Sequence, residues 1–81
     1  MTEGGTLEGR VEAILFVSGE PVRVEELAKA LDVPLKDVEA ALERLRDDYD
    51  FNQRGFMLRR FGHQVQLATR ALYADDVVRM L

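Results

Sequence analysis

Few side chains in this sequence could do chemistry. It has no cysteine and a single histidine, His63. One chain therefore cannot assemble a zinc site from the usual nitrogen and sulfur ligands, and no thiolate is on hand as a nucleophile. The acidic run Asp47-Asp48-Tyr49-Asp50 lacks the spaced oxygens, mid-loop glycine and closing glutamate of a calcium loop, and it reads as the solvated end of a helix. Gly4-Gly5 and Gly19 are not in the strand–glycine–helix arrangement that cradles phosphate. No serine or carboxylate pair has an identifiable activating partner. His63 falls in a predicted turn, where a ring facing solvent is the expectation. Catalytic residues, cofactor and metal are all expected to be absent.

What remains are residues that make contacts. Residues 51–70 carry Arg54, Arg59, Arg60 and Arg70 with no acid, whereas residues 25–50 hold nine acids against four bases. Arg54, Arg59 and Arg60, with His63, form a basic group that could meet phosphates or an acidic protein. It could equally keep the edge of a hairpin from aggregating. A second group is apolar: Phe16 and Val17, joined by Phe61, are candidates for a protein interface. For Phe16 two readings stand side by side, a core residue of a helix buried on both sides and a contact with a second copy.

The elements that must position these residues follow from periodicity. Leu7, Val11, Ile14 and Leu15 recur at helical spacing and predict a helix over Leu7 to Ser18. At about 100° per residue, Phe16 points roughly opposite to Leu7, so this helix carries apolar groups on two sides. Gly19 sits where a left-handed cap belongs, and Pro21 forbids continuation. A short extended piece, Val22-Arg23, leads into a second helix with Val24, Leu27, Ala28 and Leu31 on one side. Val33-Pro34 makes a turn, and Pro34 is suited to the first position of a third helix. That helix has the cleanest apolar stripe: Leu35, Val38, Leu42, Leu45 and Tyr49, with Ala41 beside them. Two helices joined by so tight a turn make a helix-turn-helix.

From Gly55 to Thr69 the period changes to two. Phe56, Leu58 and Arg60 alternate with Met57, Arg59 and Phe61, and after a turn near Gly62-His63-Gln64 the apolar Val65 and Leu67 alternate with glutamines. A hairpin directly after a helix-turn-helix is a wing. Leu72, Tyr73, Val77, Met80 and Leu81 then begin a fourth helix without a closing cap, as if the native protein continued. The fold class expected is α+β, mainly α: a winged helix-turn-helix of three helices, a two-stranded wing and the start of a fourth helix. A loose N-terminus over residues 1–6 and one domain over 7–81 are expected.

Length, composition and charge narrow the classes further. With 81 residues there is room for one domain, and a core of this size is marginal unless packing is good or a partner covers more apolar surface. Dimerisation is open on length alone. The N-terminus has no basic segment leading into an apolar one, unlike a signal peptide. No apolar run approaches the roughly 20 residues that span a bilayer, and the lack of cysteine fits a reducing cytoplasm. The formal net charge is −4. Away from the core, the third helix presents Lys36, Asp37, Glu39, Glu43, Arg44 and Asp47, four acids against two bases. Affinity for duplex DNA rests largely on Lys and Arg at phosphates, so direct DNA reading by this helix is not the expectation.

The block Glu12-Ala13-Ile14-Leu15-Phe16-Val17-Ser18-Gly19-Glu20-Pro21-Val22, with Glu25-Glu26-Leu27-Ala28, Val38-Glu39, Leu42 and Leu45, resembles the N-terminal domain of bacterial segregation and condensation protein B. Weaker matches continue in Arg54-Gly55-Phe56, Leu58, Gln66-Leu67, Thr69 and Tyr73. The family often has serine where Arg23 stands and another near Pro34, and a glycine pair at His63-Gln64. The resemblance implies a non-enzymatic accessory subunit of the bacterial SMC condensin complex, cytoplasmic and nucleoid-associated, acting in chromosome condensation and segregation. It implies the first of two winged-helix domains, a homodimer formed through it, and partnership with the kleisin subunit, segregation and condensation protein A, and through that with SMC. The residues alone leave a second possibility, a DNA-binding winged-helix transcriptional regulator that uses its basic wing.

Overall fold

The computed structural model describes residues 5–81. In chain order it contains α1 (Leu7–Ser18), β1 (Val22–Arg23), α2 (Val24–Leu31), α3 (Leu35–Phe51), β2 (Phe56–Phe61), β3 (Gln64–Thr69), a 3₁₀ turn (Ala71–Tyr73) and α4 (Ala74–Met80). This is the winged helix-turn-helix that the periodicity predicts. The loose start expected over residues 1–6 falls mostly on residues 1–4, which lie outside the described residues. Thr6 is the N-cap of α1, its hydroxyl accepting from the Gly9 N–H at 3.0 Å.

The helix ends show how the sequence sets the turns. Gly19 closes α1 in the left-handed region at φ 68°, where a residue without Cβ is unstrained. At the end of α2, Asp32 takes φ 57°, its N–H donating to Lys29 O at 3.2 Å while Val33 N–H donates to Ala28 O at 3.1 Å. The turn therefore starts one residue earlier than Val33-Pro34 suggests. The same paired pattern closes α3, where Gln53 N–H reaches Asp50 O and Arg54 N–H reaches Tyr49 O. Pro34 is the N-cap of α3, one position outside the helix, with ψ 148°. Neither Arg23 nor Pro34 supplies a side-chain cap, which is what the lack of serine at those places leads one to expect.

The extended piece at Val22-Arg23 does more than link two helices. It pairs antiparallel with β3 (Val22 with Val65, Arg23 with Gln64), giving a three-stranded sheet in the order β1-β3-β2. The wing is thus two strands of a three-stranded sheet. β2 pairs with β3 from Phe56–Thr69 to Phe61–Gln64 across the two-residue loop Gly62-His63, with Gly62 at φ 61°. A first loop residue at positive φ with glycine there matches a tight hairpin turn suited to twisted strands.

The core is aliphatic with one tyrosine. Val11 and Leu15 of α1, Val24, Leu27, Ala28 and Leu31 of α2, Val38, Ala41, Leu42, Leu45 and Tyr49 of α3, and Val65 of β3 are buried together. Leu58 and Leu67 pack against this cluster, so the sheet face bearing Phe56, Leu58 and Arg60 with Val65 and Leu67 points inward. Arg10 ties α1 to the end of α2, donating to Leu31 O at 3.2 Å. α4 buries none of its residues.

Candidate protein interface on α1 and the wing

All four phenylalanines, Phe16, Phe51, Phe56 and Phe61, stay outside the core. Large aromatic rings are costly to leave in water, and apolar surface gathered in one place marks an interaction site more often than scattered apolar residues do. Phe16 is 67% exposed and Val17 82%. The reading of Phe16 as a core residue is therefore corrected: the inward side of α1 is filled by Val11 and Leu15, with Leu7 and Ile14 at its margin, and Phe16 falls outside that arc.

Phe16 is not isolated. Its ring lies 6.4 Å from that of Phe56, centroid to centroid, with the planes tilted by 56°. A groove of about 220 Å³ runs beside the pair, lined by Gly9, Glu12, Ala13, Phe16, Phe56 and Leu67. Gly9, Ala13 and Phe16 follow one another at spacings of four and three, so they share a face of α1. Small residues there let a second surface approach the helix backbone, and Phe16 with Phe56 supplies the apolar contact. Val17 continues the exposed surface about 100° round the helix.

Phe61 belongs elsewhere. It lies five residues along β2 from Phe56, hence on the opposite face of the sheet, and at the other end of the strand. The structure groups Phe16 and Val17 with Phe56, not with Phe61. Phe61 is 44% exposed, and the Arg59 guanidinium sits over its ring at 4.9 Å.

The basic group is also divided. Arg60 points inward and grips Glu39 of α3 with two hydrogen bonds, 2.6 and 3.0 Å, while its Nε donates to Gly62 O at 2.8 Å. The Arg60 hydrogen bond holds the Glu39 carboxyl below its ordinary range, and the Glu39 bond raises the guanidinium in turn. Arg54 lies before β2, at the end of the hairpin away from its tip. Arg59 is on the outer sheet face. Arg54, Arg59 and Arg60 therefore do not form one basic surface, and Arg60 is spent within the fold. Arg70 is engaged too, with Arg54 O at 2.6 Å and Asp50 at 2.8 Å. His63 faces solvent, its Nδ1 3.3 Å from Glu25.

Behind the apolar face, Tyr49 is buried and donates its hydroxyl to Glu12 at 2.5 Å. Burial first, and the Glu12 bond second, push the phenol's pKa upward. Arg44 of α3 pairs with Glu8 of α1. These two contacts fix α1 against α3 and thereby the direction in which Phe16 projects. Neither was visible in the sequence, because the partners are 36 and 37 residues apart. Among the described residues no group of histidine, cysteine, aspartate and glutamate is placed to hold a metal ion, and no helix is long and apolar enough to cross a membrane.

Comparison with known proteins gives one consistent result. A family model described as "Segregation and condensation complex subunit ScpB" matches residues 9–81. Segregation and condensation protein B of Caldanaerobacter subterraneus subsp. tengcongensis is 40% identical over 76 residues, which is 94% of this chain and 45% of that protein. The chain thus spans less than half the length of this curated relative. Among solved structures, a "dimer of ScpB N-terminal domain complexed with ScpA peptide" is similar with a TM-score of 0.84 and 28% identity, covering 91% of this chain and 93% of the other. ScpB from Mycobacterium tuberculosis is similar with a TM-score of 0.87 and 29% identity, covering 99% of this chain and 50% of that one.

Proposed function

The chain belongs to the family of the segregation and condensation complex subunit ScpB, and on that premise we propose that it is a homodimerising module of a non-enzymatic accessory subunit in a bacterial SMC condensin complex. In this reading residues 7–81 form the first of two winged-helix domains. Two copies meet through the α1–wing face, with Phe16, Val17 and Phe56 at the centre. The dimer joins the kleisin, segregation and condensation protein A, and through it SMC, in chromosome condensation and segregation. The protein works in the cytoplasm, at the nucleoid.

The observation that carries this reading is Phe16 itself: 67% exposed, against Phe56, on a domain whose core closes without it. A two-fold interface uses the same patch on both partners, and a helix face of Gly9, Ala13 and Phe16 suits such self-packing. The ScpB dimer with a ScpA peptide supports both the oligomeric state and the partner. The other possibility, a DNA-binding regulator, has weaker support: Arg60 is held by Glu39, and Arg54 and Arg59 lie apart.

Light scattering of the 81-residue chain over a rising concentration series tests the dimer. A mass approaching twice 9.2 kDa is expected, and a strict monomer at high micromolar concentration would overturn the reading.

A further inference from the structure

The outer face of the sheet has no role in the dimer proposed above, and its composition is unusual for an acidic chain. The register pairs Met57 with Ala68, Arg59 with Gln66, and Phe61 with Gln64, and directly paired residues share a face. These six residues, with Arg23 of β1 beside Gln64, make an outward surface without a carboxylate, on a chain of net charge −4. Arg23 lies 3.7 Å from Glu25. Arg59 is different: among the described residues no carboxylate pairs with it. Its guanidinium lies over the Phe61 ring at 4.9 Å, a contact that favours this position of the charge, and none of the side-chain hydrogen bonds among the described residues uses its N–H donors. A guanidinium with free donors, an aromatic ring beneath it and a methionine along the same strand is a surface that receives a carboxylate next to an apolar side chain.

We propose that this face is a second docking surface, separate from the α1–wing face, and that it binds an extended acidic segment of a partner protein in which every second residue, the set sharing one face, runs apolar, carboxylate, apolar. The carboxylate meets Arg59, and the apolar groups lie on Phe61 and Met57. The amides of Gln64 and Gln66 serve the segment's polar groups. Charge complementarity selects an acidic partner. A peptide is favoured over duplex DNA because Arg60 faces inward to Glu39, leaving too few free cations for a phosphate backbone, and because α3 next to the wing carries Glu39, Glu43 and Asp47, which repel it.

The test is NMR titration of the 81-residue chain with a short peptide carrying leucine, glutamate and leucine at every second position with serines between, alongside its counterpart with lysine in place of the glutamate and a short DNA duplex. Saturable binding of the acidic peptide, with amide shifts centred on Arg59, Phe61 and Gln66, is expected. Arg59→Ser should weaken it roughly tenfold with the fold retained and only a small drop in melting temperature, since Arg59 is exposed and loses only its contact with Phe61. Phe16→Glu should leave it intact, so failure here is distinguishable from failure of the dimer reading. No saturable binding of the acidic peptide, equal binding of the lysine peptide, shifts centred on Phe16, or tighter binding of the duplex would each overturn the proposal.

Discussion

Phe16 and Phe56 stand 6.4 Å apart across the gap between α1 and the first residue of β2, tilted by 56° to one another, and the domain's core closes without either ring. An aromatic pair in this geometry contributes about 0.5–1.5 kcal/mol beyond its area, and it sets the position of the start of the wing relative to α1. Replacing Phe56 with alanine should lower the stability of the single chain by about 1 kcal/mol. The same change should weaken self-association more than it weakens the fold. Chemical denaturation and sedimentation on the same variant separate the two effects.

The Tyr49–Glu12 bond is the polar tie behind that face. Tyr49→Phe leaves Glu12 without its donor and should cost about 1–2 kcal/mol, a fall in melting temperature of roughly 5–15 °C for a domain of this size. The pH dependence has a definite sign. The phenol's pKa is raised in the folded state above its ordinary 10.0, so its contribution is present below about pH 10 and is lost as the pH climbs beyond it, where the unfolded chain releases the proton first. Alkaline unfolding of the parent should steepen above pH 10, and that of Tyr49→Phe should lose this component.

Glu39 and Arg60 give the opposite limb. The Glu39 carboxyl is held below 4.5 by the Arg60 hydrogen bond, so the pair's stabilisation is present above that pH and disappears as the pH falls through the lower folded value. Both side chains are about two-fifths exposed, and screening by water and salt limits the contribution to about 0.5–1 kcal/mol. Glu39→Gln should therefore cost no more than about 1 kcal/mol at neutral pH. The difference from the parent should vanish in acid and shrink in high salt, both read from urea midpoints.

The hairpin loop allows a paired test of backbone strain. Gly62 has φ 61° with nothing within 4 Å of an added Cβ, whereas Gly55 has equal room and no positive φ. Gly62→Ala should cost about 1–2 kcal/mol from conformation alone, while Gly55→Ala should be neutral or stabilise by up to about 1 kcal/mol. Thermal melts of the two variants make the comparison.

Much of this fold was legible because its signals are local. The stripe of α3, the Gly19 cap before Pro21 and the change from helical to alternating period at Gly55 each lie within a few residues of what they determine. The third strand was not legible: two residues carry no period, and Val22-Arg23 becomes a strand only because Val65 and Gln64 come alongside. The candidate site was legible in part. The exposed side of α1 could be read from the angle between Phe16 and Leu7, but Phe56, which completes the patch, looked like any inward residue of an alternating strand. Arg60 misled for a related reason, since charge in a sequence window does not reveal that Glu39, 21 residues away, already holds it.

Sedimentation equilibrium of the parent chain beside Phe16→Glu decides whether the α1–wing face joins two copies. A buried aromatic anchor replaced by a charge commonly costs an interface at least about 2 kcal/mol. The parent should fit a dimer, and the variant a monomer with dissociation shifted by roughly thirtyfold or more, its helical circular dichroism intact because Phe16 lies outside the core and its melting point lowered through loss of the Phe56 pair and of the dimer. A variant that remains a dimer, or a parent that is a monomer throughout, would show that this face does not join the copies.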